Sequence, residues 1–106
     1  MGLFSGFRAP GMDEGVQQYR STEGAVLVDV RETDEYAAGH VPGSVNLPLS
    51  RIQKAEDVFA DKSAPLFVYC LSGGRSGRAV AILTSMGYTA VTNIGGISSY
   101  HGEVER

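Results

Sequence analysis

The stretch PLFVYCLSGGRSGRAVAILTSM, residues 65–86, decides how this chain folds. Pro65 to Tyr69 is short, apolar and rich in β-forming side chains, the pattern of a strand buried on both faces. Arg75 to Met86 carries Ala79, Ile82, Leu83 and Met86 at helical spacing, and Gly87 supplies the stop. Between strand and helix lies a tight turn that holds the only cysteine of the chain, Cys70.

Outward from this unit the pattern repeats. Ala25 to Val30 (AVLVDV) is nearly continuously apolar and β-branched, and Ala90 to Ile94 reads as a last strand before Gly95 and Gly96. Val45 to Leu47 predicts a brief strand. Met12 to Arg20 spaces Met12, Val16 and Tyr19 along one helical face, with Asp13 and Glu14 in the first turn. Thr33 is placed to cap a short helix through Ala38, which Gly39 ends. Ser50 with Gln53 reads as a capping box for a helix that aligns Ile52, Ala55 and Phe59. Strands alternating with helices at this spacing predict a parallel α/β sheet covered on both faces. Ligands of such sheets sit beyond the carboxyl ends of the strands, where Cys70 falls.

The composition limits the partners. One hundred and six residues make one domain, able to bury roughly two-thirds of its unfolded surface without a disulfide or metal. A formal charge of −3 with only two lysines argues against a nucleic-acid or anionic-membrane partner. One cysteine forms no internal disulfide, so a reducing, cytoplasmic setting is expected. The longest apolar run, Pro65 to Leu71, is too short to cross a bilayer. MGLFSGFRAPGM at the N-terminus lacks the basic start and apolar core of a signal peptide, and Gly6 stands where myristoylation wants Ser or Thr.

A lone cysteine is most often a small buried hydrophobe, so its surroundings have to argue for chemistry. Leu71, Ser72, Gly73 and Gly74 follow it, then Arg75 at the helix start. The paired glycines let successive N–H groups curl inward as an anion-binding nest. The helix N-terminus and the Arg75 guanidinium add positive potential. Such settings lower a cysteine pKa to about 3.5–7.5, giving the nucleophilic thiolate. Neither a dinucleotide-binding nor a Walker pattern is present.

Three separated motifs resemble the single-domain rhodaneses, a sulfurtransferase family. CLSGGRS, residues 70–76, is similar to the family's active loop headed by the catalytic cysteine. VDVRETDEYAAGHVPGSVNLPL, residues 28–49, resembles the signature in which D-x-R is followed by G-H-x-P-G-[AS]-x-N. NIGGISSY, residues 93–100, resembles the closing strand with its G-G turn and following aromatic. The resemblance covers residues 24–101 of a single domain spanning 1–106. It implies a three-layer α/β/α fold with a five-stranded parallel sheet, no cofactor and no metal. It also implies a two-step reaction in which Cys70 takes a sulfane sulfur from thiosulfate, a persulfide or a polysulfide. The Cys70 persulfide then passes it to cyanide, a thiol or a protein acceptor, held meanwhile by the N–H groups of residues 71–75. Two positions depart from the family pattern. Leu71 stands where some thiosulfate-active relatives place a basic residue, leaving Arg75 as the only cation of the loop, and Tyr100 stands where tryptophan is usual.

The neighbours have plainer readings. Asp29 and Arg31 are expected to form a buried ion pair supporting the loop, and Ser76 to cap the helix or steady the loop. Ser72 is placed to bond either the thiolate or the loop backbone. His40 is expected to be structural, because attack on sulfur by an ionised thiol needs no general base. His101 reads as a surface residue, and Arg78 as a solvated one. A cysteine-dependent phosphatase or arsenate reductase is the main competing class. Those enzymes set Cys and Arg one residue further apart, to surround a tetrahedral phosphoryl group. A non-catalytic binding module is the third class, and it has no use for an intact cysteine-headed loop.

Overall fold

The computed structural model describes residues 10–106, so the reading of the N-terminus as free of a leader or lipid site falls mostly outside the described residues. Four parallel strands carry the fold: β1 (Val26–Asp29), β2 (Val45–Asn46), β3 (Leu66–Cys70) and β4 (Val91–Gly96), in the order β2-β1-β3-β4. The helices are α1 (Met12–Ser21), α2 (Thr33–Ala38), α3 (Ala55–Val58) and α4 (Gly74–Ser85). A 3-10 turn over Leu49–Lys54 runs into α3, and another over Ile97–Ser99 follows β4.

Alternation along the strands sorts the side chains into two apolar layers. Leu27, Phe67, Tyr69 and Ile94 face α1, meeting Met12 and Val16. Val28, Val30, Leu66, Val68 and Cys70 face the other way, against Ile52, Ala55, Phe59, Ala79, Leu83 and Tyr88 of the α3–α4 side. Fully burying each such aliphatic side chain contributes about 1.5–3 kcal/mol, so the two layers outweigh any single polar contact. The three-layer α/β/α arrangement follows. α1 can lie close because Gly15 passes directly over Ile94, where a Cβ would collide.

The described residues form four strands and not the five that the family resemblance implied. The C-terminal segment makes only a single antiparallel bridge, in which His40 and Glu105 exchange backbone hydrogen bonds at 2.8 Å. Two helix caps also differ from expectation. Glu32, not Thr33, is the N-cap of α2, and the Glu35 carboxylate accepts its N–H at 3.0 Å. Ser50 caps nothing; Pro48 precedes a 3-10 turn, and the Ser50 hydroxyl donates to Glu32 Oε2 at 3.1 Å. Arg51, at φ −123° and ψ 20°, breaks the segment before α3 begins. Ile52, Ala55 and Phe59 are nevertheless buried together, as their spacing predicts.

The strand order places the site. The connection after β1 leads outward to β2, whereas the connection after β3 leads to β4 on the other side. The carboxyl ends of β1 and β3 therefore flank the crevice of a topological switch point. Asp29 pairs with Tyr69 in register there, and Cys70 is the last residue of β3.

Candidate active site

β3 ends at Cys70 because the next residue leaves the sheet: Leu71 is 46% exposed. Gly73 then adopts a left-handed conformation, φ +109°, which an L side chain resists. That turn aims the Gly73 N–H back at Cys70 Sγ, at 3.0 Å, and makes Gly73 the N-cap of α4. The loop is also pinned from β4. A register shift in the β3–β4 pair brings Gly95 and Gly96 level with Tyr69 and Cys70. Gly96 lies so close under the loop that a Cβ would meet the Leu71 carbonyl and Ser72 Cα. The Leu71 carbonyl accepts the Ser98 N–H at 3.1 Å.

Cys70 itself is buried, and burial pushes its thiol up. The Ser76 hydroxyl and the backbone N–H groups of Ser76, Gly73 and Ser72 pull the other way, and the thiol ends below the ordinary cysteine range. Ser72 thus acts through its backbone N–H. Ser76, fully buried in the first turn of α4, has its Oγ 3.4 Å from Sγ. The same hydroxyl lies 2.7 Å from Asn93 Oδ1 and 3.1 Å from the Gly73 carbonyl. Asn93 completes the brace, its Nδ2 donating to the Gly73 carbonyl at 3.3 Å and its Oδ1 accepting the Gly95 N–H at 2.9 Å.

Asp29 and Arg31 form a buried ion pair, 2.8 Å between Arg31 Nη2 and Asp29 Oδ2. Arg31 Nη2 also donates to the Gly39 carbonyl at 2.7 Å, tying the end of β1 to the end of α2. Arg75 is not the free cation that the loop composition suggests. Its guanidinium makes a bidentate pair with Glu35, Nη1–Oε1 at 2.7 Å and Nη2–Oε2 at 3.0 Å. The Arg75 side chain hydrogen-bonded to Glu35 holds that carboxyl at about 2. Cys70 is stabilised by hydrogen-bond donors and not by a nearby bare cation. The pair joins α2 to α4 across the switch-point crevice.

The histidines stand apart from the sulfur. The Nδ1 of His40 bonds the Tyr36 carbonyl at 2.8 Å, and its ring stacks on Tyr36 with centroids 3.7 Å apart. His101 is on the surface, paired with Asp13 at 2.7 Å. Arg78 is exposed. Two residues of the site, Glu35 and Asn93, were not singled out from the sequence, although both lie inside the motif stretches 28–49 and 93–100. Position within those stretches was the available signal.

The chain is thus a parallel α/β domain with a cysteine-headed loop at its switch point and the Gly73 N–H turned on the sulfur. Comparison with known proteins identifies the family: the Rhodanese-like domain model matches residues 13–103, and the chain belongs to that family. The thiosulfate sulfurtransferase PspE of Escherichia coli is 41% identical over 71 residues, covering 66% of this chain and 68% of that protein. The uncharacterized protein YqhL of Bacillus subtilis is 39% identical over 83 residues, and the match takes in 76% of this chain but only 64% of YqhL. Among solved structures, a rhodanese with anions from E. coli superposes with a TM-score of 0.72 at 35% identity, covering 77% of this chain and 98% of that one.

Proposed function

We propose that the chain is a sulfurtransferase that carries sulfane sulfur as a persulfide on Cys70. The observation that carries this reading is the 3.0 Å approach of the Gly73 N–H to Cys70 Sγ in a family with thiosulfate sulfurtransferases among its members. In the first step the Cys70 thiolate attacks the sulfane sulfur of thiosulfate. A Cys70–S bond forms, the S–S bond of thiosulfate breaks, and sulfite leaves with the electron pair. With a persulfide or polysulfide donor the leaving group is the donor thiolate. In the second step cyanide, a thiol or a protein acceptor attacks the outer sulfur, and the Cys70 thiolate leaves. No external oxidant or reductant is needed.

Each site residue has a role in this reading. An added sulfur lies about 2 Å beyond Sγ, one S–S bond length, at the mouth of the loop. The loop residues Ser72, Gly73, Gly74 and Arg75 surround it, and their N–H groups take up the charge of the persulfide anion. Leu71 forms an apolar rim. Asp29, Arg31 and Ser76 hold the loop without touching substrate. We assign the activity to a single domain working in the reducing cytoplasm, where Cys70 stays free; no helix among the described residues is long and apolar enough to cross a membrane.

Intact-mass measurement after incubation with thiosulfate or a polysulfide tests the reading. One added sulfur is expected, removed again by cyanide and absent in Cys70→Ser. No adduct with any of these donors would overturn it.

A further inference from the structure

We propose that Glu35 is a specificity-determining residue: by neutralising Arg75 it makes the Cys70 site discriminate against anionic sulfur donors. The donor part of this inference rests on the sulfurtransferase reading, whereas its electrostatic part rests on geometry alone.

Arg75 is the only cation in residues 70–76, and it is the group that an approaching dianion such as thiosulfate would seek. Both of its contacting nitrogens are taken by Glu35, at 2.7 and 3.0 Å, in the bidentate geometry that suits guanidinium and carboxylate. The carboxylate is held from behind as well, because Oε1 also accepts the Glu32 N–H at 3.0 Å. Glu35 therefore belongs to the first turn of α2 and cannot swing aside without giving up the hydrogen bond that caps that helix. The other guanidinium near this crevice, Arg31, is matched by Asp29 at 2.8 Å. With both guanidiniums neutralised, the thiolate is left as the uncompensated charge of the group. The exposed neighbours in the loop carry no charge, and the one large side chain among them is apolar Leu71, 46% exposed. An anionic donor thus meets repulsion softened only by N–H dipoles. A donor with less charge and an apolar body finds a rim that suits it.

The test compares anionic and neutral reagents of one size at Cys70. The rates of alkylation by iodoacetate and by iodoacetamide are measured for wild type, Glu35→Gln and Glu35→Asp. Glutamine at this position keeps the N-terminal hydrogen bond of α2 and removes the charge. The iodoacetate-to-iodoacetamide ratio should rise about fivefold in Glu35→Gln, the effect of one unit charge at about 4 Å when water screens it fully. It should stay near the wild-type value in Glu35→Asp. The kcat/KM for singly charged benzenethiosulfonate should rise by about the same factor, and that for dianionic thiosulfate by about its square. An unchanged or lower alkylation ratio in folded Glu35→Gln would overturn the proposal and leave Glu35 as a strut between α2 and α4. If Glu35→Gln does not fold, wild type alone decides. Its iodoacetate rate should rise with salt as repulsion is screened, and a fall would mean that Arg75 attracts anions unopposed. A wild type that takes sulfur from no donor overturns the function instead, and the alkylation ratio still judges Glu35.

Discussion

The Cys70 thiol lies below its ordinary range because the loop with Ser72 and Gly73 and the first turn of α4 with Ser76 meet at one sulfur atom, with Asn93 of β4 behind Ser76. The Ser76 hydroxyl has one proton for several acceptors, and its shortest contact is Asn93 Oδ1 at 2.7 Å rather than Sγ at 3.4 Å. Ionisation of the sulfur makes it the stronger acceptor, so the proton has reason to turn towards it. Ser76→Ala removes this donor while burial, which favours the neutral thiol, remains. The pH midpoint of iodoacetamide alkylation should therefore move upward, and the rate at neutral pH should fall. A midpoint that stays or drops would mean that backbone N–H groups alone set the acidity. At this scale the cysteine-headed loop is legible in the sequence, because the thiol and the turn residues sit side by side from Cys70 to Arg75. The partner of Arg75 is not, because Glu35 lies 40 residues away and only the folded chain brings the two together.

Among the elements, the contact between β4 and the loop is the tightest. Gly96 supports Leu71 and Ser72 from below with no room for a methyl group. Gly96→Ala must push the loop away from β4, at a cost of about 1–3 kcal/mol by analogy with overpacked cores. Urea denaturation should show that loss, and the alkylation midpoint of Cys70 should rise as the Gly73 N–H moves away from Sγ. Wild-type stability and reactivity in this variant would show that β4 does not position the loop. The two central strands were legible because AVLVDV and LFVY are nearly continuous runs of apolar, β-forming residues. The count of five was a family expectation, and the residues themselves supported only the four segments that pair. The helix starts were less legible. Ser and Thr are generic caps, yet Glu32 takes the cap of α2 through its own capping box with Glu35, and the Ser50 hydroxyl is spent on Glu32 while Pro48 precedes the 3-10 turn.

For the molecule as a whole, the parallel sheet decides when the site comes into being. Parallel neighbours cannot be joined by a hairpin, so β1 waits for β3 and β3 for β4, each across a long stretch of chain. Closing such loops precedes any return in contact energy and slows folding. The helices, whose bonds are local, form sooner. In a refolding experiment probed by brief pulses of iodoacetamide, helical circular dichroism should recover before the fast-reacting thiolate does. Simultaneous recovery would mean that the cysteine gains its character from the local turn alone. The register shift that brings Gly95 and Gly96 beside Tyr69 and Cys70 thus has a temporal meaning: until the last strand of the sequence has docked, the loop lacks its latch, and a chain released half-finished should carry a blunt thiol that reacts slowly with its surroundings.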